Sequence, residues 1–118
     1  MAIAPSMLIK FPKDDKHYSW TNHIKGKMIQ YQLSEQRIRR VLKSPKRREE
    51  GITPKTVAAM QELGGKKKTE LWIMYQLLPR GRVRMISAWR YPGITKPGKP
   101  IPIPDDVWEE LTRAAGPL

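Results

Sequence analysis

Two apolar rhythms divide the chain. From Trp20 to Gln32, apolar residues recur at helical spacing, with Trp20, Ile24, Met28 and Tyr31 on one stripe. The spacing predicts a first helix, which Gly26 weakens by about 1 kcal/mol relative to alanine. The chain then restarts. Ser34 suits an N-cap, because its short side chain can accept from the open amides of a first turn. Leu33 before it and Ile38 after it take the two positions of a hydrophobic staple. Ile38, Val41 and Leu42 give this second helix a buried side. Ser44-Pro45 ends it, since a residue before proline is pushed out of the α region.

The second rhythm is that of strands. Thr69 to Leu78 (TELWIMYQLL) is apolar on both faces, as a central strand is. Pro79-Arg80-Gly81 makes a turn, and Arg82 to Tyr91 (RVRMISAWRY) returns as the second strand of a hairpin. In a regular strand Arg82, Arg84, Ile86, Ala88 and Arg90 face one way, and Val83, Met85, Ser87, Trp89 and Tyr91 the other. Shorter pieces fill the gaps. Met7 to Phe11 reads as a brief strand stopped by Pro12, Lys46 to Glu50 as a charged edge strand, and Gly51 to Thr56 as a turn. Thr56 to Leu63 fits neither period clearly, and Gly64 to Lys68 is a basic loop. Tyr91 to Pro104 holds five prolines and reads as an extended surface segment. Asp105 to Ala115 closes the chain as a helix, capped by Asp105 or Asp106 and packed through Val107, Trp108 and Leu111. The order predicts one α+β domain over residues 1–118: a small antiparallel sheet packed by two N-terminal helices, with a C-terminal helix.

Charge changes this picture most. Of 118 residues, 23 are Lys or Arg and 11 are Asp or Glu, a formal net charge of +12. Residues 1–68 hold 16 of the basic and 6 of the acidic residues. An excess of this size opposes compaction, so it points to a polyanionic partner, nucleic acid first. Seven of the cations fall within twelve residues: Arg37, Arg39, Arg40, Lys43, Lys46, Arg47 and Arg48. They are the candidate nucleic-acid face; the plain alternative is a solvated surface. The absence of cysteine excludes disulfides, thiolate zinc sites and cysteine nucleophiles. With His17 and His23 the only histidines, no metal site is expected, and Glu49-Glu50 is a weak pointer to Mg²⁺. GGKKK lacks the spacing of a phosphate-cradling loop, and no cofactor is expected. The N-terminus lacks the basic-then-apolar pattern of an export signal, and no stretch approaches the roughly 20 apolar residues of a membrane span. A cytoplasmic protein without a membrane partner is expected.

Two constellations are candidates for chemistry. His23 and Lys27 are four residues apart on one helix face, which Gln30 extends. A histidine can serve as general acid or base near neutral pH, and a lysine can steady a phosphate; a solvated helix flank is the alternative. Arg84 and Arg90 bracket small or apolar residues, so at least one should border the core. A partly buried arginine needs an anion, either a phosphate or an internal carboxylate such as Glu49, Glu50 or Glu70.

The stretch HIKGKMIQYQLSEQRIRRVLKSP resembles the opening of a small bacterial domain family, and RVRMISAWRY resembles the strand ending of the BrnT toxins, with its arginine, Ile-Ser-Ala, arginine run. These domains are in turn similar to the RelE-type ribonuclease toxins. The likeness spans residues 17–91. It implies a three- or four-stranded antiparallel sheet packed by the two N-terminal helices, metal-free RNA cleavage, and an acidic antitoxin partner. By position it makes His23, Lys27, Arg84 and Arg90 the catalytic set. BrnT-like sequences place a histidine before glycine at the turn between the helices, where this chain has Tyr31-Gln32-Leu33. Residues 49–61 and the prolyl tail are additions. The resulting expectation is an RNA-interacting protein, with metal-independent endoribonuclease activity on the family's pattern. The alternatives are a non-catalytic RNA- or ribosome-binding module, or an interaction module for an acidic protein.

Overall fold

The computed structural model describes residues 10–50 and 53–114. In chain order these form β1 (Tyr18–Trp20), α1 (Asn22–Tyr31), α2 (Glu35–Lys43), β2 (Arg47–Glu50), β3 (Thr56–Leu63), β4 (Thr69–Leu77), β5 (Val83–Tyr91) and α3 (Asp105–Ala114). The α+β arrangement expected from the sequence is present: two N-terminal helices, a sheet and a C-terminal helix. The sheet order is β1-β5-β4-β3-β2. All neighbours are antiparallel except β1, which lies parallel to β5 and makes the sheet mixed. Of the strand expected at Met7–Phe11, Met7 to Ile9 lie outside the described residues, and Lys10 and Phe11 are not in a strand. Gly51, Ile52 and Ala115 also lie outside them.

Thr21 is where β1 becomes α1. Its backbone is extended, and its hydroxyl accepts from the Ile24 amide (3.1 Å) while donating to the Ile86 carbonyl (2.8 Å). The N-cap therefore also ties α1 to β5, and Trp20 belongs to the strand rather than to the helix stripe. Gln32 ends α1 in the left-handed region (φ 53°), with its amide bonded back to the Ile29 carbonyl. Ser34 then caps α2 by accepting from the Arg37 amide (3.1 Å), and Leu33 and Ile38 are both buried, as a staple requires.

The sheet is covered on both sides. On one face α1 and α2 bury Ile24, Met28, Ile38 and Val41 against Leu71, Ile73, Met85 and Ala88. On the other, α3 and the prolyl strap set Val107, Leu111, Ile101 and Ile103 over Trp72, Met74, Ile86 and Trp89. Each fully buried Val, Leu, Ile or Met among them contributes about 1.5–3 kcal/mol by leaving water. The Trp72 and Trp89 rings are stacked, 6.1 Å apart. Glu70, fully buried, holds the strap down: it accepts from the Thr95 amide (3.0 Å) and hydroxyl (2.8 Å) and from the Trp72 indole (3.0 Å).

One irregularity overturns the expected alternation along β5. Met74 lies opposite Ser87 but Tyr75 lies opposite Met85, so Ile86 is an extra residue, a β-bulge. Past the bulge the faces exchange. Arg84, opposite Gln76, lies on the α3 side, whereas Arg90, opposite Leu71, lies on the α1–α2 side. The two arginines do not share a face.

Candidate nucleic-acid interface

The residues nominated for catalysis occupy three separate places. His23 and Lys27 are in a seam where α1 meets β5 and α3. His23 Nε2 is 2.9 Å from the Ser87 hydroxyl, and Nδ1 is 3.9 Å from the Glu110 carboxylate. Lys27, buried, forms an ion pair with Asp106, donates to Gln30 Oε1 (3.0 Å) and lies over the Tyr31 ring (5.7 Å). Burial lowers the His23 pKa from its ordinary value; the Glu110 charge opposes this and the Lys27 charge adds to it. Asp106 is desolvated too, but the hydrogen bond and charge of Lys27 prevail and lower its pKa. Ser87, His23 and Glu110 stand in the order of a nucleophile, base and acid. Ser87, however, is fully buried, its hydroxyl against the His23 ring. The work of the row is to join the three elements.

Arg84 and Arg90 lie elsewhere. Arg84 Nη1 donates to Gln76 Oε1 (3.0 Å). Arg90 donates from Nε (3.4 Å) and Nη2 (3.2 Å) to the Tyr31 carbonyl at the end of α1. Its pKa is lowered by burial and by the neighbouring Arg37 charge. Two of the carboxylates considered as their partners are engaged otherwise, Glu49 by Arg47 and Glu70 by the strap.

The basic run divides just as sharply. Arg47 is a clamp: it binds Glu49 (2.8 Å), the Thr95 hydroxyl (2.9 Å) and the Lys99 carbonyl, and stacks over Trp72 (5.3 Å). Arg39 binds Glu35 (2.7 Å) and covers Tyr18 (4.6 Å) and Trp20 (5.7 Å). Lys46 pairs with Glu62. Arg48 is on the opposite face of β2 from Arg47, and its positive charge partly offsets the rise that burial imposes on the Tyr75 pKa. Arg37, Arg40 and Lys43 remain. Among the described residues they form no ion pair. Arg40 and Lys43 are exposed and Arg37 half-exposed. With Gln36, Arg39 and Ser44, Arg40 and Lys43 line a shallow groove along α2.

This groove is firmly mounted. The Gln61 side-chain amide donates to the carbonyls of Arg40 (3.2 Å) and Ser44 (2.8 Å), fixing the end of α2 on β3. Just past β3 come Lys66, Lys67 and Lys68, all exposed. Glu62 feels this neighbourhood: the Lys46 hydrogen bond lowers its pKa and the Lys68 charge contributes. The loop cations belong to the same positive end of the molecule, although sequence reasoning nominated only residues 37–48; the signal available was the GGKKK run itself. Ser87 and Glu110 carried no local signal, Ser87 being 64 residues from His23.

Among the described residues no group of three or more His, Asp or Glu side chains could hold a metal ion, and no helix is long and apolar enough to cross a membrane. Comparison with protein-family models, with curated proteins and with solved structures finds no match to this chain.

Proposed function

We propose that this chain is a non-catalytic RNA-binding module that holds the phosphate backbone along α2 and the adjoining Lys66–Lys68 loop. One observation carries the reading. The cations needed by the fold are paired or stacked, while Arg37, Arg40 and Lys43 project from a capped helix with no carboxylate partner among the described residues. Both faces of the sheet are covered, so the described residues offer no exposed strand platform on which bases could stack. Affinity then rests on phosphate contacts, which are insensitive to sequence and sensitive to salt. RNA is chosen over DNA from the resemblance to the RelE-type group. Cleavage is not proposed. A base at His23 and stabilising arginines at Arg84 and Arg90 would have to surround one phosphate, and they lie in three places.

Incubating the purified protein with structured and single-stranded RNA at low salt tests both halves. The expected result is binding with the RNA left intact. Loss of all binding at low salt would remove the proposal. Cleavage that persists in EDTA and disappears in His23→Ala would replace it with the nuclease reading.

A further inference from the structure

The α3 side of the molecule carries a cleft that the phosphate contacts do not use. Arg47 and Glu49 lie opposite Met60 and Ala58 of β3, which belong to the core under α3. Beside them the prolyl strap and α3 leave a cleft of about 470 Å³, lined by Pro100, Ile101 and Trp108 and by Glu49 and Glu50 at the end of β2. That volume suits a single side chain or a small ligand. Trp108 is the telling residue. The other three tryptophans are 5% exposed or less, whereas Trp108 is 43% exposed. α3 packs down through Val107 and Leu111, both fully buried, and leaves the Trp108 ring at the cleft.

Charge selects the occupant. Arg47 is spent within the fold: Nε donates to Glu49 (2.8 Å), Nη1 to the Thr95 hydroxyl (2.9 Å) and Nη2 to the Lys99 carbonyl. Glu49 keeps 39% of its side chain exposed beside this clamp, and Glu50 is exposed. On α3, Asp105 lies three residues before Trp108, close to it on the helix surface, and is exposed as well. Of the 11 acidic residues, six fall in residues 49–50 and 105–110, stretches that hold no Lys or Arg. In a chain of net charge +12 this is the acidic side. Carboxylates here repel a phosphate strand and attract a cation. Lys99 is the exposed cation among the lining residues, and its long stem lets the ammonium stay in water.

We propose that the cleft between α3, the prolyl strap and the end of β2 receives a lysine or arginine side chain of a partner protein. The cationic head lies over the Trp108 ring beside Glu49, and the methylene stem runs along Pro100 and Ile101. Tryptophan is the strongest aromatic partner for a cation, and a basic side chain brings both an apolar stem and a charged head. The α2 groove is on the opposite face of the sheet, so this site stands whether or not the chain binds RNA.

The test uses short Gly/Ser peptides that differ only at one central residue, Arg, Lys, Gln or Glu, with the Trp108 indole N–H followed by NMR. The Arg or Lys peptide should move that resonance and bind about tenfold more tightly than the Gln peptide, and the Glu peptide should bind weakest. Trp108→Ala should remove the preference. Glu49→Gln, which keeps an acceptor for Arg47, should weaken it, and Lys99→Gln should strengthen it. Thermal unfolding checks each variant, and Lys99, exposed on the strap, keeps the test open if Trp108→Ala does not fold. An equal response to all four peptides, no response to any, or a preference for the Glu peptide would overturn the site. So would a single-stranded RNA that moves the Trp108 resonance and displaces the Arg peptide, because the cleft would then belong to a nucleic-acid face.

Discussion

Helices α1 and α2 are neighbours in the chain and carry charge of the same sign, yet their cations do opposite work. Lys27 of α1 is buried and paired with Asp106 of α3. Arg40 and Lys43 of α2 face solvent beside a groove. Helix spacing does not separate them; a third element does. α3 returns near the end of the chain and packs against α1, supplying Asp106 and Glu110. Arg47 and Arg48 repeat the contrast within two residues, because a strand sends them to opposite faces: one meets Thr95 and Trp72, the other is exposed. A basic residue is informative about a partner only after the fold's own claims on it have been subtracted.

The clamped side should be far more sensitive than the exposed one. Trp72→Ala removes a fully buried ring that stacks on Trp89 and underlies Arg47. It should cost about 3–5 kcal/mol in denaturant unfolding; a cost near that of a surface change would contradict the account of the strap-side core. Next comes the neighbouring pair. Arg47→Gln leaves Glu49, Thr95 and the Lys99 carbonyl without their donor and should cost about 1–3 kcal/mol. Arg48→Gln should stay within about 0.5 kcal/mol. Equal effects would erase the distinction between the two faces of β2.

A smaller effect belongs to the α1–α3 seam and appears as pH dependence. His23 has a native pKa below its unfolded value of 6.5, so the native state favours the neutral ring. Below pH 6.5 the unfolded chain binds the extra proton first. The stability contributed by His23 is therefore complete above that pH and is lost as pH falls through the lowered native value. The groups facing the ring are Ser87, Glu110, Lys27, Asp106 and Arg113, and the pKa of Asp106, already lowered from 3.8, places its own titration in a more acidic range. Unfolding curves collected from neutral to mildly acid pH should show this slope, and His23→Gln should flatten it. An unchanged slope would place the titrating group elsewhere.

Much of the fold was legible because its signals are local. The Ser34 cap with its Leu33–Ile38 staple, and the apolar run of the central strand β4, depend on residues close in sequence. Three features were not. Trp20 fitted the α1 stripe, but Thr21 breaks the stripe by bonding to Ile86, 65 residues away. β3 showed no clear period because Ala58, Ala59 and Met60 are buried in succession under layers on both faces. The bulge at Ile86 left no mark on the period of RVRMISAWRY, and it separated Arg84 from Arg90. The candidate site suffered most from this last kind of loss: the cations were visible in the sequence, but Asp106, Glu49, Glu35 and the aromatic rings that claim several of them became evident only in three dimensions.

On the proposed reading the outward cations of α2, and not the clamped ones, meet the phosphate backbone. The dependence of RNA affinity on salt tests it most directly. For single-stranded RNA each neutralised phosphate adds about 0.7 to the slope of log affinity against log salt. Replacing Arg37, Arg40 and Lys43 together with glutamine should reduce that slope by about 2, with stability changed by no more than about 0.5 kcal/mol at each site. Arg47→Gln should lower stability and leave the slope unchanged. A slope untouched by the triple substitution, or reduced as much by Arg47→Gln alone, would contradict the account.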